Sequence, residues 1–164
     1  MKAKKYLLIF IFTTLIGACE TPPLLPDDYD GPIARVYDTV NNRETKSAYF
    51  YELDKVDGKR IEGSIGLSLS ASYGQGAILT VVQTSREVPA GKELKLSLLG
   101  MRKYAAPILE IINGSYKVHG DIVFTPEEGK SYNVNGELSK EYSAIWLEDL
   151  EGNIVSNKIQ RPAK

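Results

Sequence analysis

The sequence is poor in the side chains that most enzymes and metal sites use. Among 164 residues there is one cysteine, Cys19, and one histidine, His119. A single cysteine excludes an internal disulfide, and a zinc site needs three or four His, Cys or carboxylate ligands. The sequence contains no G-x-S-x-G motif and no phosphate-binding loop. We therefore expect no metal, no cofactor and no enzymatic activity, and we interpret His119 as an ordinary strand histidine.

The apolar stretch near the start is too short to span a membrane. Residues 6–18, YLLIFIFTTLIGA, are uncharged and follow three lysines, whereas a spanning helix needs about 20 apolar residues. A positive segment, a short apolar segment and small residues before a cleavage point are typical of a secretory signal peptide. The sequence predicts that residues 1–18 are such a signal peptide.

The residues at the predicted cleavage point read Ile16-Gly17-Ala18-Cys19. This order resembles the lipobox of bacterial lipoproteins. The resemblance implies a diacylglyceryl thioether on Cys19 and acylation of its new amino group. Glu20, in place of an aspartate, implies sorting to the outer membrane. The expected location is therefore the cell outer membrane, lipid-anchored and facing the periplasm, and two or more acyl chains would hold the protein there stably.

The segment after the cysteine predicts a tether. Residues 19–32 contain four prolines, which disfavour a helix and favour extended polyproline geometry of about 3.1 Å per residue. Removal of residues 1–18 takes away three of the 20 basic residues and none of the 21 acidic ones, which leaves a side-chain charge of −4. A mildly acidic protein argues against nucleic acid as a partner.

Residues 33–164 predict one all-β domain. Short alternating segments are separated by turn residues every 8–14 positions or so, as in sandwiches and barrels. We expect a two-sheet β-sandwich of about nine strands, immunoglobulin-like or transthyretin-like, with a small β-barrel as the alternative. Asp57-Gly58 and Asn113-Gly114 predict hairpin turns.

Individual strands follow from the local patterns. Residues 61–73 alternate with period 2 and predict a strand, with a short helix as the alternative. Residues 77–84 are β-branched and apolar, and residues 104–112 lead to Asn113-Gly114, so both predict strands. Residues 154–159 predict the last one.

Several stretches carry a wider resemblance. The segments GPIARVYDTV, VDGKR, REVPAG, YAAPI and GKSYNVNGELSKEYSAIWLED resemble a set of small uncharacterised proteobacterial outer-membrane lipoproteins. The last segment is also similar to transthyretin-like or PEGA-like β modules of envelope proteins. This resemblance implies an envelope lipoprotein and carries no known active site.

Three residues are candidates for binding. Arg102 and Tyr104 belong to a basic–aromatic segment, and Trp146 ends an apolar run before two acids. Aromatic rings and guanidinium groups contact sugars and proteins well, although Trp146 also fits a core position. We expect a non-catalytic domain that binds another envelope protein or peptidoglycan.

Three alternatives remain open: a periplasmic immunity or inhibitor lipoprotein, a carboxylate-dependent cell-wall hydrolase, and carriage of a small ligand inside a barrel, which predicts a large apolar cavity. The hydrolase would need two acids converging in a cleft. Its candidate carboxylates are Glu127 with Glu128, and Glu148, Asp149 and Glu151.

Overall fold

A computed structural model describes residues 24–162, so the predicted signal peptide, Cys19 and the first part of the predicted tether lie outside the described residues. This range contains nine strands and two helices. They are β1 (Ile33–Asn41), β2 (Ser47–Val56), β3 (Lys59–Arg60), α1 (Ser64–Ser72), β4 (Ser85–Pro89), β5 (Leu94–Tyr104), α2 (Pro107–Asn113), β6 (Lys117–Phe124), β7 (Ser131–Leu138), β8 (Tyr142–Asp149) and β9 (Ile159–Pro162).

The nine strands form one mixed sheet, in which seven follow the order β6-β5-β2-β1-β7-β8-β9 while β3 pairs with β2 and β4 pairs with β1. Strand β1 joins the two halves of this sheet. Its first part pairs with β4 in antiparallel fashion and with β7 in parallel fashion. Its last three residues pair with β2. The sheet turns at β1. The two halves that share this strand therefore face each other and enclose an apolar interior.

The interior is filled by alternating side chains from both halves. In β5, Leu94, Leu96 and Leu98 are 1% exposed or less, as expected for positions with period 2 on an inward face. Together with their neighbours they form the main core, which is Ala34, Val36, Tyr51, Leu53, Val56, Val88, Ala90, Leu94, Leu96, Leu98, Val118, Ile122, Tyr132, Val134, Leu138, Ile145 and Leu147.

The two outer edges of the sheet nearly meet. A Cβ atom on Gly120 of β6 would lie 2.9 Å from the side chain of Ile159 in β9. The glycine therefore leaves room for this isoleucine between the two edge strands. The sheet is therefore nearly barrel-shaped. The expected all-β class with about nine strands is confirmed, and the two facing halves and the near closure correspond to the two architectures that the sequence predicted.

The strand expected over residues 61–73 is wrong, and the short helix that was its alternative is present as α1. Ser64, Ser68 and Ser72 are buried, at most 5% exposed, and Ile65 is buried beside them. A spacing of four residues places the three serines on one helix face. Because four is a multiple of two, the same spacing also matches strand alternation, which explains the error.

Residues 77–84 form no strand in the structure. This segment is extended but runs beside α1. The backbone N–H groups of Thr80, Val82 and Thr84 donate to the hydroxyls of the three buried serines, at 2.8, 2.8 and 3.1 Å. Side-chain oxygens therefore take the place of a neighbouring strand, which satisfies these backbone donors outside a β-ladder.

The strand expected over residues 104–112 is also wrong. Pro107 begins α2, where a missing N–H costs nothing, and Gly114 ends it with a φ of +73°. Asn113-Gly114 is thus a helix end and not a hairpin turn, whereas the Asp57-Gly58 hairpin is confirmed by the pairing of β2 with β3. The last strand starts at Ile159, five residues later than expected.

Candidate functional site

The structure brings two of the three candidate residues together at one end of the barrel. We call the end opposite Ile33 the distal end and the end at Ile33 the proximal end. The distal end contains the β1–β2 turn, α2 with its flanking loops and the β7–β8 turn, which follow from the strand pairings. Nine residues in β1 separate the two ends by roughly 30 Å.

Arg102 lies on the inward face of β5 and packs between two tyrosine rings. It is paired across the sheet with Tyr49. Its guanidinium carbon lies 5.6 Å from the centre of the Tyr49 ring and 4.7 Å from that of Tyr104, within the range of cation–π attraction. Its Nη2 donates to Ser47 Oγ at 3.3 Å and lies 3.6 Å from Glu44. These contacts fix the guanidinium at the rim of the barrel.

Two polar atoms in this group have no hydrogen-bond partner among the described residues. They are the buried Nε of Arg102 and the buried hydroxyl of Tyr104, a residue that is 5% exposed. Burial raises the pKa of the Tyr104 hydroxyl, with a smaller opposing effect of Arg102. The hydroxyl therefore keeps its proton, and both groups are donors, unpaired within residues 24–162, that a ligand reaches only if the neighbouring side chains move.

Tyrosines from neighbouring strands continue this surface. Tyr49 and Tyr116 are in edge-to-face contact, with ring centres 6.3 Å apart. Tyr51 lies two residues after Tyr49 in β2, on the same inward face and closer to the middle of the barrel, and is 2% exposed. Its ring occupies the place where a Cβ on Gly136 would be, 2.6 Å from Tyr51 Cε1. The glycine in β7 is thus what lets a tyrosine fill the end of the barrel.

A cleft of about 420 Å³ opens at this end. We call it the distal mouth. It is lined by both halves of the sheet, through Asn41, Asn42, Tyr49, Tyr51, Gly136, Glu137 and Leu138. Aromatic faces, amides and a carboxylate around one opening suit a polar polymer, because rings stack on sugar faces while amides and acids hydrogen-bond hydroxyls.

Trp146 lies elsewhere. It is 7% exposed, on the face of β8 opposite Ile145 and Leu147 of the main core. Its indole N–H donates to Glu148 at 3.3 Å, and the ammonium of Lys158 lies 4.1 Å from its ring centre. The ring is therefore buried on the outer face of β8, with Lys158 against it and outside the main core, and it gives no open platform.

The candidate carboxylates of the hydrolase alternative are at the proximal end. Glu127, Asp149 and Glu151 line one cleft there, about 240 Å³ in volume. Asp149, however, accepts hydrogen bonds from the backbone and side chain of Asn153, at 2.7 and 2.9 Å. The Asn153 side-chain bond is the main cause of its lowered pKa. A general acid in glycoside hydrolysis needs a raised pKa, so this arrangement favours a turn-stabilising role for Asp149.

Sequence reasoning missed a set of buried carboxylates at the start of α1. Asp38 accepts from Ser64 N at 3.0 Å and from Ser64 Oγ at 2.7 Å. Glu52 accepts from Ile65 N at 2.8 Å. The first N–H groups of a helix lack intrahelical partners and carry partial positive charge, so carboxylates stabilise them.

Burial dominates the titration of both acids. It raises the pKa of Glu52 to about 7, against the hydrogen bond from Ile65. It also raises the pKa of Asp38, against the attraction of Arg86, whose Nη2 lies 3.3 Å from the carboxylate. The two acids are 6% and 2% exposed. A substrate cannot reach them without displacing α1, so we assign them a structural role.

His119 lies 3.6 Å from Asp54 through its Nε2, and no group of three or more potential ligands within residues 24–162 is arranged to hold a metal ion.

Comparison with known proteins adds no relative: no family model, no curated protein and no solved structure matches the chain. The resemblance to small lipoproteins and to immunoglobulin-like or transthyretin-like modules therefore stays a prediction. Between residues 24 and 162, neither helix has the length and apolar character that crossing a membrane requires.

Proposed function

We propose that the chain is a non-catalytic envelope lipoprotein whose barrel-like domain binds an envelope polymer at the distal mouth. The observation that carries this proposal is the Arg102–tyrosine group beside an open cleft. The lipobox pattern ending at Cys19 supplies the expected anchor, and the proline-rich residues after it supply the expected tether.

The chemistry of the mouth favours peptidoglycan as the polymer. Its glycan offers sugar faces for Tyr49 and Tyr116, and its peptide stems offer carboxylates and carbonyls. Carboxylates of that kind match the guanidinium of Arg102, whose side chain is 18% exposed. The cleft is open to solvent, which lets a longer chain continue beyond it.

The position of the mouth fits an anchored protein. The tether joins the domain at Ile33, and the mouth lies at the other end of β1. A lipid on Cys19 would therefore hold the proximal end toward the membrane. The separation is short, because Leu24 packs against the main core and Tyr29 N closes a turn on Pro26 O, so the tether is not extended along its whole length. The mouth would face away from that membrane and toward the cell-wall layer.

Sedimentation with purified peptidoglycan sacculi tests the proposal. The full lipidated chain in mild detergent should pellet with the sacculi. Arg102→Gln removes the cation that packs between the Tyr49 and Tyr104 rings and should weaken binding about tenfold, because the ring that lines the mouth loses the group that positions it. Lys130→Gln at the proximal end removes the same charge from an exposed site and should bind as the wild type does.

Two results would overturn the proposal. One is that the wild-type chain stays in the supernatant. The other is that Lys130→Gln weakens binding as much as Arg102→Gln. Thermal melting of each variant separates a lost contact from a lost fold.

A further inference from the structure

Helix α2 exposes an unusual apolar surface at the distal end. None of its residues is buried. Ile108, Ile111 and Ile112 are 58%, 78% and 71% exposed, and their spacing of three and four residues places them on one side of the helix. We call these three side chains the isoleucine face. Single exposed apolar residues are ordinary, whereas a contiguous group of large ones marks an interaction site.

Other exposed apolar side chains extend this surface. Tyr73 and Ile78 are 92% and 53% exposed. Leu79 N donates to Thr45 O, while Ala105 N donates to the next carbonyl, Lys46 O. The loop after α1 and the loop before α2 therefore flank the same turn. Half of the ten large apolar residues exposed within residues 24–162 lie at this one end.

The distal end is also basic within an acidic chain. Residues 41–47, 73–79, 102–117, 137–142 and 160–162 contain seven basic and four acidic side chains, a balance of +3. All described residues together, 24–162, contain 16 basic and 20 acidic ones, so the remainder carries −7. Complementary charge steers association and selects partners, which points to an acidic surface opposite the distal end.

We propose that the isoleucine face docks a protein partner whose surface is acidic and offers an apolar groove. This partner is additional to the polymer of the proposed function, and its docking relies on α2 and not on the mouth. A symmetric second copy of the chain would bring two surfaces of +3 together, which charge repulsion opposes. The membrane that the tether reaches lies on the side of the opposite, proximal end.

Site-specific photo-crosslinking in cells tests this docking. A benzoylphenylalanine at position 112 of the full chain is the probe, and one at position 123 is the matched control. Val123 is a 64% exposed apolar residue at the proximal end. We expect one discrete protein adduct from position 112 that position 123 does not give. Mass spectrometry of the adduct should place the crosslink in an acidic, apolar-containing segment of the partner.

Charge variants beside the probe make the test specific. Ile111→Glu should lower the yield of the adduct about tenfold, whereas Ile111→Lys should lower it clearly less. Ile111 is 78% exposed, so neither change should disturb the fold, and circular dichroism checks this. Arg102→Gln removes only one of the seven basic side chains and should lower the yield of the adduct far less than Ile111→Glu, so loss of polymer binding and loss of docking can be told apart.

Four outcomes would overturn the proposal. They are no adduct, an adduct only with a second copy of the chain or with lipid, equal adducts from positions 112 and 123, and equal effects of Ile111→Glu and Ile111→Lys.

Discussion

The two sides of β2 are packed in opposite ways. On the inner side, Tyr51 and Leu53 join an apolar core between the two halves of the sheet. On the outer side, Phe50 shares a small second cluster with Ile65 and Leu79, while Glu52 lies under the start of α1. Apolar area alone holds the inside together, whereas the outer layer combines its smaller apolar cluster with hydrogen bonds to buried polar groups.

This difference predicts two kinds of response to change. Burial of apolar area is non-directional and independent of pH, so the interior should lose stability in proportion to the atoms removed. A buried polar network fails when one partner is lost, because the others remain desolvated. The outer layer, which consists of α1 and residues 77–84, should therefore open as a separate unit.

The largest effect is expected at Asp38. Its carboxylate accepts from Leu53 N and Ser64 and is 3.3 Å from Arg86 Nη2. Asp38→Ala leaves a buried guanidinium without its counterion, which costs about 4 kcal/mol. Urea denaturation at neutral pH measures this loss in the free energy of unfolding.

The control is Asp27→Ala, at an exposed position before β1, which should change the free energy of unfolding little. An equally small loss for Asp38→Ala would show that the outer layer contributes nothing to global stability.

The interior counterpart is Leu98, which is fully buried in β5. Leu98→Ala should cost about 3 kcal/mol through lost burial and a residual cavity. The cost should be the same at pH 5 and pH 8, since no titratable group takes part. Leu150→Ala, a 62% exposed site, is the control. A pH-dependent loss at Leu98 would contradict the separation of the two sides.

The third prediction concerns pH and Glu52. Its pKa is about 7 in the folded state, against a reference value of 4.5. A raised folded pKa means that the folded state holds the proton more tightly. The stabilisation is complete below about pH 4.5 and is lost as the pH rises through 7. The free energy of unfolding should fall by about 2 to 3 kcal/mol between pH 4.5 and 8.

Denaturation curves across that range, with Glu52→Gln beside the wild type, measure the effect. The amide cannot titrate and still accepts from Ile65 N, so the variant should show a flatter profile. An unchanged slope in the variant would assign the pH dependence to other groups, with Asp38 as the first to test.

The sequence predicted the inner side of this comparison much better than the outer side. Inward positions such as Leu94, Leu96 and Leu98 alternate along one strand, and alternation is a local signal. The outer layer depends on contacts between distant residues. Asp38 and Glu52 occupy strand positions that look solvated in the sequence, and only the later segment that covers them shows that they are buried.

The candidate site shows the same division between residues that a local sequence signal indicates and residues that only distant contacts bring together. Arg102 and Tyr104 were predicted because a basic residue and an aromatic residue lie within three consecutive positions of the sequence. Tyr49, Tyr51 and Tyr116 were not singled out, since their convergence depends on the register of β2, β5 and β6. Gly136 could have pointed to this end, because a glycine inside a strand often marks a close approach by another group.

The smallest effect that still separates the two sides is expected at Ser68. Its hydroxyl accepts from Val82 N at 2.8 Å and donates to Val82 O at 3.2 Å. Ser68→Ala leaves both backbone groups of Val82 without a partner, at a cost of about 1 to 2 kcal/mol. Because this contact joins α1 only to residues 77–84, the loss should appear as faster hydrogen exchange in those two segments, with the amides of β5 unchanged.

Ser70→Ala changes an exposed serine of the same helix and should leave the exchange rates as they are in the wild type. Faster exchange throughout β5 in the Ser68 variant would mean that the outer layer and the interior unfold together, because the amides of β5 are paired with β2 and β6 and a local opening of the outer layer leaves these pairs intact.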